Sequence, residues 1–175
     1  SCCSLALEKS SWLIEEILKR KHEISAHGVK WITHAYFSRE EEKKIINDCY
    51  LSILKLSGRP PQGWHTKSST SPFTRDLLIE HGGFMYDSNA YNDDIPYVIR
   101  QNDRKFVIIP YSFDTNDMRF DGNNGFVQGD DFNIYCKESF NQLLSETDDG
   151  SLRMMSIGLH PRIIGRPGRI KGLKD

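Results

Sequence analysis

No apolar run in this sequence approaches the roughly 20 residues that a membrane-crossing helix needs. Its first residues lack the basic, apolar and small-residue regions of a secretory leader, so the expected setting is the cytoplasm, with no membrane partner. Charge of one sign is missing too. Lys plus Arg number 23 and Asp plus Glu 24, a net charge of -1, which leaves no basic face for nucleic acid or an anionic lipid surface. The expected partner is a small molecule. Cysteine is scarce: Cys2, Cys3, Cys49 and Cys136 show no metal-type spacing, and the adjacent pair is a poor disulfide framework. Reduced thiols in a cytosol-like compartment follow. A Gly-rich phosphate loop of the dinucleotide or Walker type does not occur, which disfavours a nucleotide fold.

What is present suffices for a core. The 175 residues are 38% hydrophobic, and 1–175 reads as one domain without repeats, low-complexity tracts or an interior boundary. Trp12, Leu13, Ile14, Ile17 and Leu18 recur at helical spacing, with acids early and bases late. Residues 22–28 read as a short strand ending at His27. Ser38 and Glu41 form a capping-box signature before Ile45, Ile46, Cys49, Ile53 and Leu54, and Gly58 closes that helix. Residues 59–66 are too proline-rich for an interior strand and suit a short extended segment. Ser71 and Pro72 predict an N-cap and first position for a helix through Leu78, stopped by Gly82 and Gly83.

Further along, residues 84–87 predict a brief strand ending in an acid, 88–97 a polar loop and 106–110 a buried strand. The Gly- and Asn-rich residues 121–129 predict a flexible connection. Asp130 or Asp131 caps a helix that carries Phe132, Tyr135, Cys136, Phe140, Leu143 and Leu144 and ends by Gly150. A last apolar run from Met154 predicts a buried parallel strand that delivers His160, followed by a Gly/Pro loop with arginines and a helix start.

Helices alternating with short apolar strands predict an α/β domain with a mainly parallel sheet. His27, His65, Asp87, Asp114 and His160 then all fall at or just beyond strand C-termini, the edge where such folds bind ligands. His160 leads the set as a proton donor or acceptor, because imidazole exchanges protons near neutral pH.

Several blocks carry a family resemblance. Ala26-His27-Gly28-Val29-Lys30-Trp31, the segment from Arg59 to Trp64, Gly83-Phe84-Met85-Tyr86-Asp87-Ser88, the segment from Asn92 to Tyr97, that from Pro110 to Asp117, and Leu159-His160 occur in order along nearly the whole chain. Together they resemble the polysaccharide deacetylase superfamily, and within it the branch of deacetylase-type allantoinases. The resemblance implies a distorted (β/α) barrel, here incomplete at both termini, acting on carbon–nitrogen bonds other than peptide bonds. It also implies an N-terminal strand with the acids of the first family motif. The chain lacks an initial methionine, and a fragment without that strand is the expectation. A barrel open in this way exposes two sheet edges, so a homo-oligomer is expected as well.

One departure is chemical. Metal-dependent members of the superfamily carry His-x-x-x-His where His27 lies, whereas the second position here is Trp31. An indole has an N–H donor and no lone pair for a cation. His34 is a substitute at the wrong spacing. The expectation is no metal and no other cofactor, with zinc or another divalent cation entering only under a deacetylase reading.

The favoured activity is hydrolysis of a cyclic amide, allantoin to allantoate, by metal-independent acid–base chemistry. The alternatives are a metal-dependent N-deacetylase of an acetylated polysaccharide and an inactive fragment of the fold. His160 is the expected acid, with the base assigned to the first family motif. His27 is expected to donate a hydrogen bond to substrate, or else to tie a loop to a backbone carbonyl. Arg59 is assigned to the site wall and to orienting a carboxylate, against a surface arginine; Trp64 to the pocket lining, against the core. Asp87, Asp93 and Asp94 are candidates for binding urea-like N–H donors, against mere turn formation. Asp114 and Asp117 are read as structural. Arg166 and Arg169, flanking Pro-Gly at a helix start, are assigned to an anionic product, against salt bridges that hold the loop.

Overall fold

The computed structural model describes residues 1–101, 103–122, 125–147 and 150–175. Two compact units emerge. The first comprises residues 1–90 and 97–109, the second 91–96 and 110–175.

In the first unit, α1 (Ser4–Lys9) and α2 (Trp12–Lys19) precede α3 (Arg39–Ser57). Helix α3 begins where the capping signature predicts: Glu41 N–H donates to Ser38 Oγ, and Ser38 N–H donates back to the Glu41 carboxylate at 2.9 Å. It ends at Gly58, whose φ of 70° suits a residue without Cβ. Its buried face is Glu42, Ile46, Cys49 and Ile53, a helical stripe laid into the core with Leu7, Ile14, Ile24, Ala26, Trp64, Leu77, Leu78, Ile79, Phe84, Phe106 and Ile108. Burying each large apolar side chain contributes about 1.5–3 kcal/mol.

The sheet follows the order β1-β2-β4-β3, with β1 (Gly63–Trp64), β2 (Tyr86–Asp87), β3 (Tyr97–Gln101) and β4 (Arg104–Ile108). Strands β1, β2 and β4 run parallel, and β3 pairs antiparallel with β4. The mainly parallel sheet expected from sequence is therefore present. Residues 22–28 do not form a full strand. Ala26 bridges in parallel to Trp64 on one side and Cys2 on the other, extending the sheet by single rungs. Helix α4 (Thr74–His81) starts later than predicted. Ser71 Oγ instead accepts from Phe73 N–H in a preceding turn, and Gly82 ends the helix as expected.

Strand β3 and helix α1 were not expected. Residues 88–97 look like a loop, and the five-residue β3 alternates half-buried and exposed positions too weakly to stand out. The hairpin bend includes Asp103 at φ 59°, a region that Asp tolerates.

In the second unit a 3₁₀ turn (Asp117–Phe120) precedes α5 (Gly129–Ser145), α6 (Pro161–Ile164) and α7 (Pro167–Lys174). Residues 123 and 124 of the expected 121–129 connection lie outside the described residues. Asp131 accepts from Val127 and Gln128 N–H to start α5, which keeps the predicted acid but puts the cap at Gln128. Phe120, Phe126, Phe132, Ile163 and Ile164 form the core. Arg119 lies over the Phe126 and Tyr135 rings at 4.5 Å each. Helix α5 meets α7 so closely that a Cβ on Gly172 would stand 1.9 Å from the Gly129 carbonyl oxygen.

The last apolar run corrects an expectation. It is not a buried strand: Ile157 and Leu159 are 47% and 42% exposed, and a single parallel bridge joins Gly158 to Asn116. That bridge suffices to place His160 beside Asp117.

Candidate active site

In the first unit, register builds the site. Ala26 pairs with Trp64 and Trp64 with Asp87, so the next residues, His27, His65 and Ser88, lie side by side at the strand C-termini. His27 Nδ1 donates to the His65 carbonyl, and His65 Nδ1 donates to the Ser88 carbonyl at 2.7 Å. A carbonyl oxygen only accepts, so each Nδ1 carries the hydrogen. The two rings stack 7° from parallel with centroids 5.2 Å apart, close to the strand spacing of about 4.8 Å.

The same edge holds Asp87, but with its oxygens engaged. It is fully buried, receives Arg75 Nε at 2.8 Å and Nη2 at 3.3 Å, and also accepts from Asn89 N–H at 2.9 Å. The expected role in substrate binding gives way to holding Arg75. Trp64 is likewise corrected: its indole lies in the core and donates to Thr66 Oγ1 at 2.8 Å. Arg59 is exposed and precedes β1, whereas His65 follows it. Arg59 therefore stands at the other end of the strand from the histidine pair.

The His-x-x-x-His ligand pair of metal-dependent members is incomplete in this chain. Trp31, at the family's second ligand position, is 39% exposed and carries the Lys67 ammonium over its ring at 5.1 Å. His34, the substitute, is buried and directs Nδ1 at Glu42. Among the described residues no group of three or more His, Cys, Asp or Glu is arranged to hold a metal.

In the second unit His160 caps α6 and Asp117 opens the 3₁₀ turn. Asp117 is fully buried. Its Oδ1 lies 2.6 Å from His160 Nδ1, and its Oδ2 accepts from the backbone N–H of His160 at 2.6 Å and of Ile164 at 3.2 Å. The carboxylate thus orients the imidazole and fixes hydrogen at Nδ1, making Nε2 the atom for proton exchange. Sequence reading assigned Asp117 to structure alone. No local pattern links it to a histidine 43 residues away.

A cavity of about 270 Å³ in this unit is lined by Asp93, Asp94, Asp114, Tyr111 and Tyr135 among others, and none of its lining side chains is basic. It brings both candidate loop acids together. Asp93 also accepts from the backbone N–H of Asp94 at 2.8 Å and Ile95 at 3.2 Å, so it makes the turn as well. Burial pushes the Tyr111 phenol above its ordinary value, keeping it neutral. Arg166 is exposed at the cap of α7. Arg169 instead pairs with Asp121 at 3.3 Å and lies over Phe120 at 4.8 Å, the loop-holding alternative rather than the anion clamp.

No protein-family model matches the chain. A Schizosaccharomyces pombe protein provisionally named polysaccharide deacetylase is 32% identical, over 97% of this chain and 58% of the relative. Among solved structures, a Pseudomonas aeruginosa PAO1 protein with the same provisional name is 37% identical with a TM-score of 0.93, covering 98% of this chain and 57% of the other. PuuE allantoinase is 38% identical with a TM-score of 0.92, again over 98% and 57%. The chain spans less than three-fifths of the length of these relatives. Over nearly its whole length the chain is thus similar to proteins named polysaccharide deacetylase and to an allantoinase, and it shares with them the mixed α/β, distorted-barrel fold that the sequence blocks implied.

Proposed function

We propose that this chain is part of a hydrolase of carbon–nitrogen bonds other than peptide bonds, with a cyclic amide of the allantoin type as substrate. The observation that carries the reading is the buried Asp117 carboxylate holding His160 through its ring and backbone. The 38% identity to an allantoinase supports the substrate class.

Ring opening requires water to add to the amide carbon, the carbon–nitrogen bond to break and the departing nitrogen to gain a proton. His160 Nε2 delivers that proton, and Asp117 stabilises the ring in the orientation that allows it. Water loses its own proton to a carboxylate that the resemblance assigns to the first family motif. In the first unit, taken by itself, His27 with its Nδ1 locked by the His65 carbonyl is the proposed substrate contact. Asp93 and Asp94 accept from ureide N–H groups, and Arg166 meets the carboxylate that ring opening creates.

A second reading, N-deacetylation of a polysaccharide, draws on the provisional names of two relatives. It requires a metal that Trp31 and Lys67 do not accommodate. Hydrolysis of allantoin and of N-acetylglucosamine oligomers by this chain and by a full-length relative, with and without chelator, separates the readings. Chelator-resistant opening of allantoin is expected. Chelator-sensitive acetate release would reverse the assignment, and turnover by the full-length relative alone would mark this chain as an inactive piece.

A further inference from the structure

His34 is a titratable ring in the core of the first unit, where polar atoms must find partners. Its Nδ1 donates to Glu42 Oε1 at 2.9 Å. Glu42, fully buried, also accepts from Thr74 Oγ1 at 2.6 Å and from Ser71 Oγ. Glu42 belongs to the start of α3, and Ser71 and Thr74 to the approach and first residue of α4. The imidazole is therefore anchored to two helix starts.

The rest of the ring packs against the immediate chain neighbours of the histidine pair, Gly28 and Trp64. His34 Nε2 is the nearest atom, at 3.3 Å, to where a Cβ on Gly28 would lie. The ring also meets the Trp64 indole edge-on with centroids 5.8 Å apart. Gly28 directly follows His27, and Trp64 directly precedes His65. At φ 77° Gly28 bends the backbone over His34 in a conformation unfavourable for other residues.

We propose that His34, locked by Glu42, is a positioning residue that sets the ring planes of His27 and His65. The residue type suits the task. An imidazole fills the space between Gly28 and Trp64 as a phenyl ring would, yet a hydrogen bond at Nδ1 stops it rotating. Asparagine would keep a donor for Glu42 and leave that space empty. The functional meaning of the device rests on His27 contacting substrate, whereas the geometry can be measured without activity.

The test is ring-nitrogen NMR of the 175-residue chain with labelled histidine, comparing wild type, Glu42→Gln, His34→Asn and Ser71→Ala. In wild type, His27 and His65 are each expected as one tautomer with hydrogen on Nδ1. Glu42→Gln and His34→Asn are expected to give mixed or broadened signals at both residues, while His160 is unchanged. Ser71→Ala, which leaves the His34–Glu42 bond in place, is expected to match wild type. Should Glu42→Gln fail to fold, His34→Asn carries the same readout. Variants whose His27 and His65 signals superimpose on wild type would overturn the proposal. Altered signals with undiminished allantoin hydrolysis would leave the positioning standing and remove His27 from the reaction.

Discussion

Asp117 Oδ1 sits 2.6 Å from His160 Nδ1, joining residues 43 positions apart in the sequence through a fully buried carboxylate. Asp117→Asn retains the shape but replaces an acceptor oxygen with an amide donor, so the ring loses the partner that fixes its tautomer. The expected result is a fall in kcat of about 100- to 10,000-fold with little change in KM. His160→Ala should fall similarly, and the double variant should be no worse than the poorer single one. Additive losses would show that the two residues act independently.

Glu42 sets a pH dependence. Burial raises its pKa, but hydrogen bonds from His34, Ser71 and Thr74 outweigh that and hold it below the ordinary value of 4.5. A carboxylate with a depressed folded pKa contributes stability that is present above its unfolded value and lost as pH falls through the folded one. Thermal melts of wild type and Glu42→Gln should therefore differ most near neutrality and converge only as pH falls below 4.5 and through the depressed folded value. A constant difference across the range would remove the ionised carboxylate from the account.

Arg75 and Asp87 form an asymmetric pair, with the carboxylate fully buried and the guanidinium partly exposed. Arg75→Met strands the acid without its bidentate partner. Breaking buried pairs destabilises by about 3–5 kcal/mol, and solvent at the guanidinium puts this one at the lower end. Urea unfolding of the variant measures it. Arg75→Met with Asp87→Asn should recover part of the loss.

The contact between α5 and α7 depends on two residues without side chains. Gly172→Ala would drive a methyl group to 1.9 Å from the Gly129 carbonyl oxygen, forcing the helices apart. The expected destabilisation is about 1–3 kcal/mol. Loss of protection at α5 amides in hydrogen exchange would locate it.

Legibility in the sequence followed the range of the interactions. Ser38 and Glu41 act on each other three positions apart, and Gly58 acts on Leu54 within the last turn, so the helix they bound was readable end to end. The row of strand-end groups was readable too, because His27, His65 and Asp87 each close a short apolar segment. Their partners were not. Arg75 reaches Asp87 from a helix, and His34 reaches Glu42 through a loop whose path no periodicity reveals. The run before His160 misled because apolar residues normally indicate burial, whereas Ile157 and Leu159 remain open to solvent. Strand β3 was hidden behind an Asn- and Asp-rich stretch whose composition favours turns.

The rung from Ala26 to Trp64 gives the site a parity. Because side chains alternate faces along a strand, sliding residues 22–28 by one position against β1 would turn His27 to the opposite face and leave Ala26 or Gly28 beside His65. Sliding by two would restore the face but carry the imidazole about 6.6 Å past its neighbour. Loss or gain of a single residue near this bridge that shifts its pairing is thus more disruptive than most substitutions within it, even when every chemical group of the site survives.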